Sequence, residues 1–386
     1  MSTILLTSTN PLKIEAVERF FLQVRDGETY TVKGFNCNPG LPNQPIDCGQ
    51  ACAAHRIEHL KETIIPNGPG SDPDLLIVSI ENDLIQKSET DRRLDDYVHC
   101  RIELNGFVGT GRSDGLSCLD HYLVSQLRKQ PLTVYPQSKV IKGYDKTGGQ
   151  LLHEQHGYDP QNWMKSKHGI DRQDQIGQSL TVAWVDLVTR VSQAHELRQS
   201  YRVYPDFPIA GVNFKYFYSL FQGKNMNTLA TLLADKYREF EPDAILPLES
   251  RGLIMGAVLA DRLSTSLIPL QKPGKIPGQV LSSSYTKEYG ADRVDVSCDL
   301  FTELFKQNRP SYRFLIVDDV KATGGTLVAA LDLLARACAP RPYSAEVVVV
   351  DEVSFYRQEA RDRLGRDCYV LFRDVERTYK WLGGHL

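Results

Sequence analysis

The stretch FLIVDDVKATGGTLVAA, residues 314–330, decides the fold of the second half of this chain. Its residues 314–317 are apolar and typical of a short buried strand, and residues 327–337 are rich in Leu and Ala and typical of a helix. Asp318 and Asp319, together with a pair of glycines, therefore fall on a strand-to-helix turn. In an open α/β sheet, ligands bind at the edge that carries such turns.

The residues that follow the two acids suggest a binding site for a phosphate group. Gly324 and Gly325 allow a tight turn and a close approach of the backbone to a ligand. The N–H groups that open the next helix favour an anion, and Thr323 and Thr326 add hydroxyl donors. Carboxylates repel a phosphate but accept hydrogen bonds from vicinal hydroxyls, so the pattern favours a ribose with a phosphate at one end. The alternative is an ordinary turn with two solvated acids. The lysine of a Walker loop is missing.

The composition is typical of a soluble globular protein of two domains. Apolar residues make up 41% and charged residues 24% of the 386 positions, and the formal net charge is −3. This charge gives no general attraction to nucleic acid or acidic membranes, and no apolar run has the length of a membrane span. The first ten residues lack the regions of a signal peptide. The eight cysteines form no CxxC pair, which favours reduced thiols in a cytoplasm and no zinc site.

A change in composition predicts a boundary between two α/β domains, residues 1–196 and 197–386. Residues 192–204 are polar and charged, and Pro-Asp-Phe-Pro follows at 205–208. Each half then has the size of a common α/β domain.

Several other apolar segments of the second half have the length of strands in a parallel sheet. They lie at residues 243–248, 266–270, 345–350 and 368–372. A polar turn with Ser250 and Arg251 separates the first of them from an apolar helix at 253–263. Residues 271–296 are rich in Gly, Pro, Ser and Lys, and a loop of this length and polarity is predicted to act as a lid.

Five motifs of the second half occur in an order that is specific to one enzyme family. They are DFPIAGVNF at 206–214, LESRG at 248–252, KPGKIPG at 272–278, YTKEYGADRV at 285–294 and LIVDDVKATGGT at 315–326. With these motifs the second half resembles the adenine phosphoribosyltransferases, which are type I phosphoribosyltransferases. The resemblance implies a Rossmann-like parallel sheet and the exchange of a purine base for the pyrophosphate of 5-phosphoribosyl 1-pyrophosphate (PRPP), with Mg²⁺ as cofactor.

The resemblance also implies a role for individual residues. Asp318 and Asp319 would hold the ribose hydroxyls. The 5-phosphate would be bound by Ala322, Thr323, Gly324, Gly325 and Thr326. Arg251, with the backbone around Ser250, would face the pyrophosphate, and Glu288 would handle the proton at the purine imidazole nitrogen. Further substrate-binding residues that the resemblance implies are Lys272, Lys275, Tyr289, Phe207 and Val212.

Position 322 bears on the identity of the base. Relatives that act on 6-oxopurines carry an acid in this loop, whereas Ala322 matches the adenine type, so AMP is the expected product. The chain departs from the family at Gln271 and at Lys215-Tyr216, where Arg and Arg-Asp are common. Lys does not reproduce a bidentate Arg contact. The alternatives are a transferase for another, modified purine and a non-catalytic sensor of PRPP or nucleotides.

The first half opens at LTSTNPLKIEAVERFF, residues 6–21, as a strand, a polar turn and a helix. Thr9 or Asn10 can cap this helix, and Pro11 suits its first position. Lys13 would project near the helix N-terminus, which favours the binding of an anion. The further motifs of this half are GLPNQP at 40–45, LLIVSIEND at 75–83, GTGRSDGL at 109–116 and GIDRQDQIG at 169–177.

Together these motifs resemble the inosine/xanthosine triphosphatase family. The resemblance implies an α/β domain that takes purine nucleoside triphosphates. In it, Asn10, Lys13 and Arg112 would contact phosphates, Glu81 would help to bind Mg²⁺, and Ser113 would lie by the cleft. Both families commonly form dimers, so we expect a homodimer.

The first half departs from this family at the expected metal site. Cys48-Gly49 and His55-Arg56 stand where Glu-Thr and Asn-Arg are usual, so a carboxylate expected at the ion is missing. Two interpretations remain open. The first half is an active phosphohydrolase, or it is a degenerate domain retained for nucleotide binding, dimerisation or structural support. Residues 137–166 are predicted to be an insertion with solvated histidines.

Overall fold

The computed structural model describes residues 2–24, 30–63, 75–86, 93–117, 119, 121–135, 138, 140–207, 210, 213–287, 290–365 and 368–382. The chain forms two compact units, which divide between Arg190 and Val191. This division falls inside a long helix, a few residues before the predicted boundary at residue 196. Within the described parts of the chain, every helix is too short or too polar to span a bilayer.

The first unit alternates strands and helices along the chain. Its elements are β1 Ser2–Leu6, α1 Pro11–Val24, β2 Tyr30–Gly34, β3 Gln44–Pro45, α2 Gly49–Thr63, β4 Leu76–Gln86, β5 Leu94–Leu104, β6 Phe107–Arg112, α3 His121–Arg128, β7 Thr133–Val134, β8 Lys142–Tyr144, α4 Gly148–His156, α5 Trp163–His168 and α6 Arg172–Gln199. The main sheet has the order β2-β1-β4-β5-β6. β1 pairs in parallel with β2 and β4, and the pairs β4–β5 and β5–β6 are antiparallel.

Glycines on β6 allow α6 to lie directly on the main sheet. A Cβ atom at Gly109 would come within 2.1 Å of the Ala183 carbonyl oxygen, and one at Gly111 within 2.1 Å of the Ser179 carbonyl oxygen. Only glycine permits such a close approach of helix and strand. α6 is thereby held against β6, and its first residue, Arg172, is buried.

The segment predicted to be an insertion in the first unit is part of its core. It contains β8, α4 and α5, and its residues Leu152, Trp163 and Met164 are buried in one apolar cluster with Leu123 of α3. The sequence did not indicate that these residues are buried, because the apolar residues of 137–166 are widely spaced among polar ones.

The second unit is built on a parallel sheet with the order β12-β11-β15-β16-β17. Its elements are β9 Arg202–Tyr204, β10 Phe214–Tyr216, α7 Gly223–Tyr237, β11 Ala244–Pro247, α8 Arg251–Leu263, β12 Ser266–Leu267, β13 Val280–Lys287, β14 Gly290–Ser297, α9 Cys298–Phe305, β15 Tyr312–Lys321, α10 Gly325–Cys338, β16 Tyr343–Glu352, α11 Arg357–Leu364, β17 Tyr369–Val370 and α12 Leu371–Trp381. Strand order and helices fit the expected Rossmann-like sheet of this half.

Three local expectations in the second unit are corrected. β15 continues through both acids to Lys321, because it stays paired with β16 as far as Glu352. The strand predicted at 368–372 ends at Val370, where α12 takes over. The polar segment 271–296 is not an irregular loop, since most of it forms the antiparallel hairpin β13–β14. Alternate residues of the hairpin, among them Tyr285, Val294 and Val296, pack into the core.

Candidate functional site

The two acids of the opening motif lie where β15 leaves the core of the second unit. Asp319 is buried, whereas Asp318 is half-buried, and the Asp319 N–H donates to Asp318 Oδ1 at 2.9 Å. Burial, followed by the charge of Asp319, raises the pKa of the Asp318 carboxyl well above its usual range. Arg251 Nε lies 2.6 Å from Asp319 Oδ2. One carboxylate of the pair is therefore balanced by a cation, and the other faces the edge of the sheet.

The close packing of α8 on β15 brings Arg251 to these acids. A Cβ atom at Gly252 would come within 2.8 Å of the Val317 carbonyl oxygen and 3.4 Å of the Asp318 Cα. Arg251 opens α8, and its guanidinium carbon lies 5.0 Å above the centre of the Phe217 ring. This cation–π contact and the Asp319 pair hold the guanidinium on two sides.

The segment between β15 and α10 has the geometry expected of an anion cradle. Gly324 caps α10 with φ +80°, and a Cβ atom there would meet Ala360 of α11 at 3.3 Å. Gly325 is buried, while Ala322, Thr323 and Thr326 are half-buried. The first N–H groups of a helix have no partner within it. The phosphate-binding loop predicted at residues 322–326 thus starts an α-helix and borders the acid pair.

Two predicted lysines lie between β12 and the hairpin, where both are engaged by acids. The Lys272 N–H donates to Glu249 Oε2 at 2.7 Å, and Lys275 forms an ion pair with the same carboxylate. Lys272 Nζ pairs with Asp292 and lies 3.1 Å from the Tyr285 hydroxyl. Although burial opposes it, hydrogen bonding from Lys275 and the Lys272 N–H lowers the pKa of Glu249. Both lysines are therefore held by carboxylates.

The predicted base-binding segment is described in part. Phe207 is exposed, and its ring lies 4.9 Å from that of Phe214 in an edge-to-face arrangement. Lys215, one of the departures from the family pattern, donates to Asp351 Oδ2 at 2.5 Å and to the Glu352 carbonyl at 2.8 Å. It therefore attaches β10 to the end of β16. The predicted residues Val212, Glu288 and Tyr289 lie outside the described residues.

A buried ion pair that sequence reasoning missed supports the predicted phosphate-binding loop. Lys321 directly precedes the loop, is 2% exposed, and has its Nζ 3.1 Å from Glu352 Oε2. Glu352 also pairs with Arg357 Nε at 2.5 Å. Since Arg357 opens α11 and Ala360 of that helix abuts Gly324, the pair connects both walls of the loop. The available signal was a lysine at the end of a strand that begins with an apolar run, but its partner is 31 positions away.

The first unit contains a polar cleft of about 330 Å³ beside the start of α1, which we call the N-terminal cleft. Asn10 Oδ1 accepts from the Leu12 N–H at 2.9 Å, and α1 begins at Pro11, so the predicted cap is confirmed. Lys13 Nζ donates to the Ile80 carbonyl at 2.5 Å. Burial lowers the pKa of Lys13, although Glu81 opposes this effect.

Asn10, Lys13 and Glu81, for which the sequence predicted contacts with phosphate or Mg²⁺, all line the N-terminal cleft. Arg112 does not belong to its lining, and its guanidinium lies instead 4.6 Å above the Tyr97 ring. Ser113 is likewise turned to the sheet, where its Oγ accepts from the Val98 N–H at 3.0 Å. Arg112 ends β6 and Ser113 follows it. The motif alone does not show which way these two side chains point.

Two buried ion pairs in the N-terminal cleft were not foreseen. Arg56 pairs with Glu81 and also donates to the Cys37 carbonyl. Arg172 Nη1 lies 2.5 Å from Asp96 Oδ1. In the described part of the chain, no group of three or more His, Cys, Asp and Glu side chains is arranged to hold a metal ion. The cleft is thus lined by arginine–carboxylate pairs.

Comparison with known proteins assigns the second half of the chain to a family. The profile of the family described as phosphoribosyl transferase domain matches residues 221–376. The chain is 37% identical over 171 residues to the adenine phosphoribosyltransferase of Chloroflexus aurantiacus, covering 44% of this chain and 93% of that relative. The chain is 39% identical over 147 residues to the adenine phosphoribosyltransferase of Wolinella succinogenes, covering 38% of this chain and 78% of that relative.

A solved structure of the adenine phosphoribosyltransferase from Saccharomyces cerevisiae, complexed with an imino-altritol bisphosphate and adenine, is 31% identical. It matches 47% of this chain and 98% of its own, with a TM-score of 0.40. Through its C-terminal half, the chain belongs to the phosphoribosyltransferase family and resembles the adenine phosphoribosyltransferases within it.

Proposed function

We propose that the C-terminal unit is an adenine phosphoribosyltransferase that forms AMP and pyrophosphate from adenine and PRPP. The observation that carries this proposal is the carboxylate pair of Asp318 and Asp319 directly before a loop with the geometry of an anion cradle. A ribose 5-phosphate moiety requires both features side by side: acceptors for its two hydroxyls and free N–H groups for its phosphate.

The contacts of Arg251 suggest how PRPP is accommodated. In the free protein its guanidinium is paired with Asp319. When the ribose diol donates hydrogen bonds to the acids, this pairing weakens, and the guanidinium becomes available to the pyrophosphate. Lys272 and Lys275 are engaged by Asp292 and Glu249 in the same way, and we propose that they exchange these carboxylates for phosphate oxygens. Charge-assisted contacts of this kind are among the strong hydrogen bonds of proteins.

The reaction breaks the bond between the anomeric carbon and the pyrophosphate oxygen, and a bond from the purine nitrogen replaces it. Positive charge develops on the ribose during this step, while the leaving pyrophosphate gains negative charge. Arg251 and the two lysines stabilise the leaving group electrostatically. The purine imidazole proton is lost, and we assign its removal to Glu288 on the strength of the family resemblance.

Mg²⁺ fits the chemistry of this site. The cation prefers oxygen ligands and retains several waters, and the carboxylates of Asp318 and Asp319 offer oxygens at the edge where PRPP would lie. The residues that would hold the ion near the substrate are Asp318 and Asp319. When bound, the ion neutralises charge on the pyrophosphate.

An assay with four bases tests this function. The protein is incubated with PRPP and Mg²⁺, together with adenine, hypoxanthine, guanine or xanthine in turn, and pyrophosphate release is measured. Release with adenine alone is the expected result. Turnover with a different purine would favour the modified-base alternative, and binding of PRPP without turnover on any base would favour a sensor.

For the first unit, we propose a site for purine nucleoside triphosphates in the N-terminal cleft. This proposal is supported by Asn10 and Lys13 at the start of α1, with a volume typical of small-ligand pockets. Whether the unit hydrolyses its ligand is tested by offering ITP and XTP and measuring phosphate and pyrophosphate. Failure of both nucleotides to bind would refute this part of the proposal and leave the transferase proposal intact.

We also propose that the protein is a cytoplasmic homodimer. The described cysteines are free thiols, as is typical of proteins in reducing compartments, and the dimer rests on the family resemblance. Sedimentation equilibrium at micromolar concentration would measure the mass, and a value near 43.5 kDa, that of one chain, would contradict the dimer.

A further inference from the structure

The described charged side chains that line the N-terminal cleft carry an excess of positive charge. Lys13, Arg56 and Arg172 are the cations, and Glu81 and Asp96 are the acids. Each acid is paired with an arginine, Glu81 with Arg56 and Asp96 with Arg172. After this pairing the charge of Lys13 remains, next to the N-terminus of α1, which also favours an anion.

Glu81 is unsuited to hold a divalent cation in this arrangement. It is 5% exposed and contacts the Arg56 guanidinium, which is anchored on its other side by the Cys37 carbonyl. The ammonium of Lys13 binds the carbonyl of Ile80, the residue that precedes Glu81. A metal ion bound to Glu81 would be placed among buried cations, and breaking the ion pair would leave Arg56 uncompensated. Both effects are costly where water is excluded.

Two buried donors without partners indicate that the cleft takes a ligand. Gln44 Nε2 and Arg172 Nε make no hydrogen bond in the described parts of the chain, and both residues are 4% exposed. Both line the same cleft as Lys13 and Arg56. Buried donors normally have acceptors, so the missing acceptors are expected to come from a bound molecule. The cleft thus offers unpaired donors and cations to a single ligand.

We propose that the N-terminal cleft binds the phosphates of a purine nucleotide directly through Lys13 and Arg56, without a bridging metal ion, and does not hydrolyse them. This inference rests on the nucleotide site proposed for the first unit. Arg56 takes the place that a metal ion would occupy beside Glu81. Hydrolysis of phosphoanhydrides in metal-assisted sites depends on the charge of that ion, and a guanidinium does not generate the attacking hydroxide. The unit therefore acts as a nucleotide receptor.

Isothermal titration of the full chain with ITP, once in EDTA and once in excess Mg²⁺, tests this inference. The PRPP site is inactivated in all samples by Asp318→Asn with Asp319→Asn, so that the heat reports on the first unit. Affinity in EDTA should equal or exceed that in Mg²⁺, and no phosphate or pyrophosphate should be released. Arg56→Gln should weaken binding in EDTA by about tenfold or more, as expected for a charge-assisted contact.

Arg19→Gln is the matched control, since Arg19 is on the same unit with a side chain that is 57% exposed and outside the lining of the cleft. It should leave the affinity unchanged. Lys13→Gln is a second variant in case Arg56→Gln unfolds, and it should weaken binding as well. Binding that requires Mg²⁺, or release of phosphate by the chain, would overturn the inference while the nucleotide site stands. Absence of ITP binding under both conditions would overturn both proposals.

Discussion

Replacement of Gly252 by alanine tests whether the close packing of α8 on β15 creates the proposed PRPP site. The new Cβ atom would be 2.8 Å from the Val317 carbonyl oxygen, whereas ordinary contacts begin at 3.4 Å. The helix and strand must therefore separate by about half an ångström, because both contacting groups are backbone. Overpacking of this kind costs about 1–3 kcal/mol, and the higher helix propensity of alanine offsets up to about 1 kcal/mol of that.

The same shift separates Arg251 from the acid pair, which has a larger consequence for catalysis. A displacement of about 1 Å in a positioning group costs up to about 10²-fold in rate. Because the expected shift is about half of that displacement, we expect Gly252→Ala to lower kcat/KM for PRPP by about tenfold, with a loss of about 1–2 kcal/mol in the free energy of unfolding. Steady-state release of pyrophosphate and urea denaturation measure the two effects.

Two other glycine replacements separate the effect on catalysis from the effect on stability. Gly177→Ala is in a helix with no atom within 4 Å of the new Cβ, and it should stabilise the protein slightly without altering transfer. Gly256→Ala would place its Cβ 2.4 Å from Pro247 Cβ, one turn further along α8, and should destabilise the fold. If Gly252→Ala retained wild-type kcat/KM, the positions of Arg251 and Asp318 would not depend on this contact, and the reasoning would be refuted.

Three further predictions concern the acids and the proton transfer. Asp318→Asn with Asp319→Asn should abolish AMP formation and leave the binding of ITP unchanged; loss of both in one variant would contradict two independent sites. Because burial and Asp319 raise the pKa of Asp318 above its ordinary 3.8, the free energy of unfolding should fall as pH rises from 3.8 through the folded-state pKa. The affinity for PRPP should rise over the same window, and Asp318→Asn should flatten both profiles; equal slopes in the variant would exclude Asp318. Glu288→Gln should lower kcat more than it changes KM, and an unchanged kcat would remove its role in proton transfer.

Several parts of the molecule followed from short-range patterns. The apolar run before Asp318, the glycines after it and the Leu- and Ala-rich segment predicted a strand, a turn and a helix, and β15 and α10 confirm that order. Asn10 before Pro11 predicted the cap of α1. These features depend on residues a few positions apart, for which backbone propensity and capping act locally.

Other features could not be predicted because they depend on alternation or on widely separated residues. The sequence pattern predicts a loop for the hairpin β13–β14, because its apolar residues are interspersed with polar ones on the exposed face. The polar composition of residues 137–166 does not reveal that Leu152 and Trp163 lie in the core. In both segments, burial is decided by the partner surface and not by mean polarity.

The sequence by itself determined the kinds of chemical groups available to each site: two acids and an anion-binding turn in the second half, and a capped helix with a lysine in the first. Tertiary structure alone decided how these groups are paired, as in Arg251 with Asp319, Lys321 with Glu352 and Arg56 with Glu81. The partners are 25 or more positions apart, and strand register and helix packing bring them within contact. A charge has a defined role in a site only when its neighbours and its burial are known, since both determine the free energy of its ionised form.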